Sequence, residues 1–165
     1  MSKIFSIKNK IKAFNSKINV PGDKSLSIRW VLFASLANGT SKAKNLLISE
    51  DVLTAINAIK KLGIKAIIKN NECIIHGKGF NGYKYSKNII INAENSGTLG
   101  RLLLGLLINS EHTIKLIGDK SLSKRDFKRI SDPLSKFGAK FKLNKKKKST
   151  VNNQRNFKFK FNKIF

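Results

Sequence analysis

The chain is 165 residues long, 41% hydrophobic, and carries 34 Lys and Arg against nine Asp and Glu, a net charge of +25. That length allows one or two small domains with a respectable core, and the charge makes an anion the first partner to expect. A single cysteine, Cys73, excludes an internal disulfide; two separated histidines beside one thiol make no zinc-type ligand set, and no apolar run reaches the length of a membrane span.

The start, "MSKIFSIKNKIKAF", lacks a continuous apolar core of the signal-peptide kind, so a cytoplasmic protein is expected. After Arg29, "WVLFASLANGT" predicts a helix apolar nearly all round, buried and stopped at Gly39. "ISEDVLTAINAIKKLG" predicts a second helix, with Ser49 as N-cap, Glu50 and Asp51 in its first turn and Gly63 as its stop; Val52, Ala55, Ile56, Ile59 and Leu62 form one stripe. "KAIIK", Asn70-Asn71 and "CIIHG" predict a β-hairpin with Cys73 in the core, and "NIIIN" a short buried strand. The order then returns. "NSGTLGRLLLGLL" predicts a helix, "HTIKLIG" a strand, "SDPLSKFGAK" a helix with Pro133 in its first turn, and "AKFKL" a strand.

A shift of 72 residues places Arg29 on Arg101 and Ser25 on Gly97, and a shift of 75 places "LGIK" on "FGAK". Each unit reads loop, apolar helix, strand, amphipathic helix, Gly, strand, which is an internal repeat. Residues 144–165, "NKKKKSTVNNQRNFKFKFNKIF", differ: "FKFKF" reads either as an exposed strand on a Lys-flanked edge or as a disordered tail. The expected division is a partial domain over 1–143 and a tail over 144–165.

"PGDKSLSIR" packs Lys24, Ser25, Ser27 and Arg29 around the start of a helix. Unpaired amides and a partial positive charge there, joined by hydroxyls and cations, suit phosphate or carboxylate. The plainer alternative is that Ser25 or Ser27 caps the helix while the cations are solvated. "NSGT" with Arg101 one turn on offers a second cradle, where Gly97 lets a ligand approach the backbone. No Walker motif is present. Lys124 and Arg125 in "SLSKRDF" follow a predicted strand, where ligands gather in α/β layers. His76 and His112 read as structural.

The charge has a second explanation. Only five cations are Arg (Arg29, Arg101, Arg125, Arg129 and Arg155), and abundant Lys, Asn, Ile and Phe are what AT-rich codons specify, so compositional drift competes evenly with polyanion binding. Residues 144–165 hold eight cations and no acid, which leaves +17 on the first 143.

"VPGDKSLSIR", "NSGTLGRLLLGLL" and "GDKSLSKR…ISDPLSKFGA", in this order and spacing, resemble the N-terminal part of the 5-enolpyruvylshikimate-3-phosphate synthase family, over about residues 15–143. The first stretch separates this family from its sibling acting on UDP-N-acetylglucosamine, whose loop carries a Lys-Asn pair. The resemblance implies an α/β fold of repeated βαβαββ units in an inside-out α/β barrel, here incomplete, and transfer of the enolpyruvyl group of phosphoenolpyruvate to shikimate 3-phosphate without a cofactor or metal. It further implies that Lys24 contacts both substrates, that Ser25 and Arg29 hold shikimate 3-phosphate, that Asn95 and Gly97 line the phosphoenolpyruvate pocket, that Arg125 pairs an anionic group of phosphoenolpyruvate, and that Arg101 supports it. The acid–base carboxylates belong to the family's second half, so a separate chain would have to supply them. Leu99-Gly100 and Asp126 depart from the family's usual residues, which touches pocket shape and a turn. Two readings without catalysis stand beside this one: a stand-alone phosphate-binding module and a Lys-rich nucleic-acid binder.

Overall fold

The structure, a computed structural model, describes residues 4–6, 8–10, 13, 15–70, 72–108, 110 and 112–143, with the backbone alone at 143 and 156–161. Helix α1 (Lys24–Leu36) starts ahead of Arg29 because Asp23, at its N-cap, accepts from the Leu26 amide at 2.7 Å. Neither serine is the cap. Ser27 Oγ instead donates to the Asp23 carbonyl at 2.6 Å and accepts from the Leu47 amide at 3.1 Å. Burial all round is also corrected: Ile28, Val31 and Leu32 lie inside, whereas Leu26 and Phe33, two turns apart on one face, are 66% and 62% exposed. The helix ends at Leu36, and Gly39, with φ +106°, lies inside strand β1 (Asn38–Lys44).

Helix α2 (Glu50–Lys61) buries the expected stripe and ends before Gly63, whose φ of +83° favours glycine. Ser49 occupies the N-cap, yet its hydroxyl makes no capping bond and is buried without a partner among the described residues. Strands β2 (Lys65–Lys69) and β3 (Glu72–Lys78) form the antiparallel hairpin, with Asn70 at φ +49° in the turn; Asn71 lies outside the described residues. Cys73 is buried in β3, and that burial raises its thiol above the usual pKa. Strand β1 pairs antiparallel with β3, giving the sheet order β1-β3-β2.

The second unit contains β4 (Ile90–Asn92), α3 (Gly97–Leu106), β5 (Ile114–Ile117), α4 (Lys128–Lys136), β6 (Ala139–Leu143) and β7 (Asn156–Phe161). Its sheet runs β4-β5-β7-β6, with β4 parallel to β5 and β7 antiparallel to both neighbours. The order β5-β7-β6 reproduces β1-β3-β2, and Gly138, at φ +87°, ends α4 as Gly63 ends α2. The repeat is therefore present in three dimensions.

The backbone of "FKFKF" pairs on both sides, with β5 and with β6, so this strand is not at an edge. Phe157 and Phe159 stand in register with the buried Leu116 and Ile114 on β5, while Lys158 stands opposite Lys115 and Lys142.

Helix α4 corrects the placing of Pro133. It begins at Lys128, whose amide donates to Asp126 Oδ1 at 2.8 Å, so Pro133 is inside the helix and cannot donate to the Arg129 carbonyl. Pro133→Ala is expected to stabilise the protein by about 1 kcal/mol, less than the full cost of an interior proline because proline also restricts the unfolded chain. A calorimetric melt checks this; a lower melting temperature for the variant would contradict it.

One continuous core joins the units. Helix α1 packs on α2, β3 and α3, and Leu99, Leu103, Leu104 and Leu107 meet Ile91, Ile114, Leu116, Leu122 and Phe127 in the same cluster. Among the described residues the two sheets are open and close no barrel. Among the described residues, no helix is long and apolar enough to cross a membrane.

Candidate anion-binding site

The predicted residues fall on the starts of two helices, α1 and α3. At α3, Ser96 is the N-cap and accepts from the Leu99 amide at 3.3 Å. Gly97 follows and is buried. A Cβ on it would lie 2.5 Å from Nη1 of Arg125 and 3.3 Å from Nη1 of Arg101, so two guanidinium groups reach one glycine at a helix N-terminus.

Each of these cations is held by something other than a carboxylate. Arg125 Nη2 donates to Asn95 Oδ1 at 2.8 Å, and its backbone follows a 3-10 turn (Leu122–Lys124) that begins where Asp119 Oδ1 accepts from the Leu122 amide at 2.6 Å. Arg101 lies over the ring of the buried Phe127, with Cζ 5.7 Å from the ring centre. The nearby acids are engaged elsewhere: Asp119 and Asp126 accept from backbone amides, and Glu94 accepts from Asn92 Nδ2. Among the described residues neither arginine has an ion-pair partner. Like charges beside the positive end of α3 repel one another, and a bound anion removes that repulsion.

At α1, Lys24 is the first helical residue, Ser25 is half-buried in the first turn, and Arg29 is exposed further along. Lys24 Nζ pairs with Asp51 Oδ2 at 3.0 Å. The segment that carries the chain toward α2 passes hard against this start: a Cβ on Gly22 would lie 2.2 Å from the Asn45 carbonyl oxygen and 2.9 Å from the Leu47 nitrogen. Glycine is required there by close approach. The structure thus gathers Asn95, Gly97, Arg101 and Arg125 into one cluster and puts Lys24, Ser25 and Arg29 on the adjoining helix, with no hydrogen bond or ion pair among the described residues joining the two sets.

Sequence reasoning missed two contributors, Phe127 beneath Arg101 and Asp51 beside Lys24. Asp51 was visible only as an acid favourable to a helix start, and an aromatic two residues after an arginine carries no signal of its own. His76 Nδ1 pairs with Thr40 Oγ1 at 2.9 Å, and His112 sits edge-on to Tyr85, so both contacts are remote from the cations. A depression of about 560 Å³ on the first sheet, lined by Lys44, Lys69, Asn70, Glu72 and Ile74, shares no residue with either helix start.

Fold and site define an α/β protein of repeated units that gathers cations at helix starts, as small-anion sites do. The chain belongs to the EPSP synthase (3-phosphoshikimate 1-carboxyvinyltransferase) family, whose model matches residues 8–163. It is 44% identical over 131 residues to the 3-phosphoshikimate 1-carboxyvinyltransferase of Sulfurihydrogenibium sp. (strain YO3AOP1), a match covering 79% of this chain and 30% of that protein. The enzyme of the same name from Bacillus subtilis (strain 168) is 38% identical over 133 residues, covering 81% of this chain and 31% of that one. A solved EPSP synthase from Acinetobacter baumannii superposes with a TM-score of 0.77 at 35% identity, covering 91% of this chain and 33% of that chain. The chain therefore spans about 30% of the length of the curated relatives it matches.

Proposed function

We propose that this chain supplies the N-terminal share of a site that transfers the enolpyruvyl group of phosphoenolpyruvate to shikimate 3-phosphate and releases phosphate, in the cytoplasm. The observation that carries the reading is the convergence of Arg101 and Arg125 on Gly97 without a carboxylate partner among the described residues, beside a second basic helix start. Two anionic substrates placed side by side repel, and fixed cations remove that barrier before reaction. In this assignment Lys24 contacts both substrates, Ser25 and Arg29 hold shikimate 3-phosphate, Asn95 and Gly97 line the phosphoenolpyruvate pocket, and Arg125, supported by Arg101, pairs its carboxylate or phosphate.

The attacking hydroxyl gives its proton to a base and bonds to the phosphate-bearing carbon of phosphoenolpyruvate while an acid delivers a proton to the methylene carbon; loss of a proton from the resulting methyl group, with departure of phosphate, restores the double bond. These proton movements are general acid–base tasks. The carboxylates for them belong to the part of the family that this chain does not span, so we assign the residues here to binding and charge neutralisation and the proton work to a partner chain carrying the second half.

Titration calorimetry with shikimate 3-phosphate tests this. Lys24→Ala and Arg29→Ala are each expected to weaken binding about tenfold, the worth of one charge-assisted contact. Retention of wild-type affinity in both variants, or uptake of nucleic acid that falls steeply with salt and ignores Lys24, would move the assignment to the nucleic-acid reading.

A further inference from the structure

Lys24 and Asp51 form the only ion pair among the described residues, in a chain where cations far outnumber acids. We propose that Asp51 is the positioning residue for Lys24: it anchors the ammonium at the start of α1 so that the remaining donors face the anionic substrate. This rests on the substrate-binding reading above.

Three observations carry it. First, a lysine ammonium has three donors, and one carboxylate oxygen at 3.0 Å engages one of them. The Lys24 side chain stays 54% exposed, so the pair has not closed it off, whereas the Asp51 side chain is only 21% exposed and stands on a helix. A flexible four-carbon stem is thus tied to a rigid point, which removes rotamer freedom before a ligand arrives.

Second, the route that brings Asp51 to Lys24 is tightly built. Asn45 and Leu47 pass against Gly22 at distances no side chain permits, the Leu47 amide donates to Ser27 Oγ, and α2 packs along α1. Third, a helix start needs an acid only for its dipole, and Glu50 in the same turn already serves that purpose without an ion pair among the described residues. Only Asp51 reaches Lys24.

The test is a double-mutant cycle on the full chain, reading shikimate 3-phosphate affinity by calorimetry in Asp51→Ala, Lys24→Ala and the double variant, with Asp51→Asn as the isosteric check against misfolding and Asp51→Glu as the conservative rescue. Asp51→Ala and Asp51→Asn are expected to weaken binding about fivefold, Asp51→Glu to recover part of the loss, and Asp51→Ala to change nothing once Lys24 is gone. An equal loss in the Lys24→Ala background would mean that Asp51 acts through α2 rather than through Lys24, and overturns the proposal. So does unchanged or tighter binding in Asp51→Asn while Lys24→Ala still weakens it. If Lys24→Ala binds as the wild type does while Arg29→Ala still weakens binding, the positioning role fails alone; if both variants bind as the wild type does, the substrate assignment fails and the positioning role with it.

Discussion

Gly77→Ala is expected to destabilise the protein by about 3 kcal/mol or more, a large share of the 5–15 kcal/mol that holds a typical domain together. Gly77 lies in β3 where that strand runs beneath the end of α1. A Cβ there would sit 2.2 Å from the carbonyl oxygen of Ala37 and 2.4 Å from that of Ala34, and both are backbone atoms that cannot rotate away. The same carbonyl of Ala37 accepts from the Gly79 amide at 3.2 Å, so displacing it also breaks a bond between helix end and strand. The control is Gly39→Ala, one strand over and in register with Gly77: its Cβ would meet nothing within 4 Å, and its φ of +106° alone costs about 1–2 kcal/mol. Denaturant melts followed by circular dichroism separate the two. Equal losses would mean that backbone strain, not the contact with α1, sets the requirement for glycine.

The second large effect falls on binding instead of stability. Gly97→Ala introduces a Cβ 2.5 Å from a guanidinium nitrogen of Arg125 and 3.3 Å from one of Arg101, but these are the ends of flexible side chains, which can swing aside. The fold should survive nearly unchanged, with a melting temperature within a few degrees of the wild type. The anion site should be disrupted, because Arg125 must leave its place, Arg101 must give by a few tenths of an ångström, and the Arg125 bond to Asn95 at 2.8 Å is strained in the same movement. On the substrate assignment proposed above, the affinity for phosphoenolpyruvate is expected to fall about fiftyfold, equivalent to roughly 2–3 kcal/mol. A variant that melts early yet binds normally would place Gly97 in the packing of α3 and not in the site.

The stripe of α2, the hairpin of β2 and β3, and the stop at Gly63 were legible because each follows from neighbours within one turn or one strand. The start of α1 was legible only in part: Asp23 outcompetes Ser25 and Ser27 as its cap, so Lys24 and Ser25 became helical residues. The sequence points to a late start for α4 because the cue of Pro133 is stronger than that of Asp126, whose carboxylate receives the Lys128 amide and starts the helix early. The exposure of Leu26 and Phe33 was illegible, since apolarity states what a residue tolerates, and only packing states what covers it.

The sequence by itself determined the repeat, the α/β character, the glycines that end α2 and α4, and the roster of cations at two helix starts, because periodicity, capping and charge are local properties of the chain. Tertiary structure alone decided that β3 and β7 each lie between the other two strands of their unit, that Arg101 and Arg125 meet at Gly97 with Phe127 beneath, and that Asp51 rather than Glu50 holds Lys24. Those contacts join residues far apart in the chain, and their partners are chosen by how helices and sheets pack in space, which no local pattern encodes.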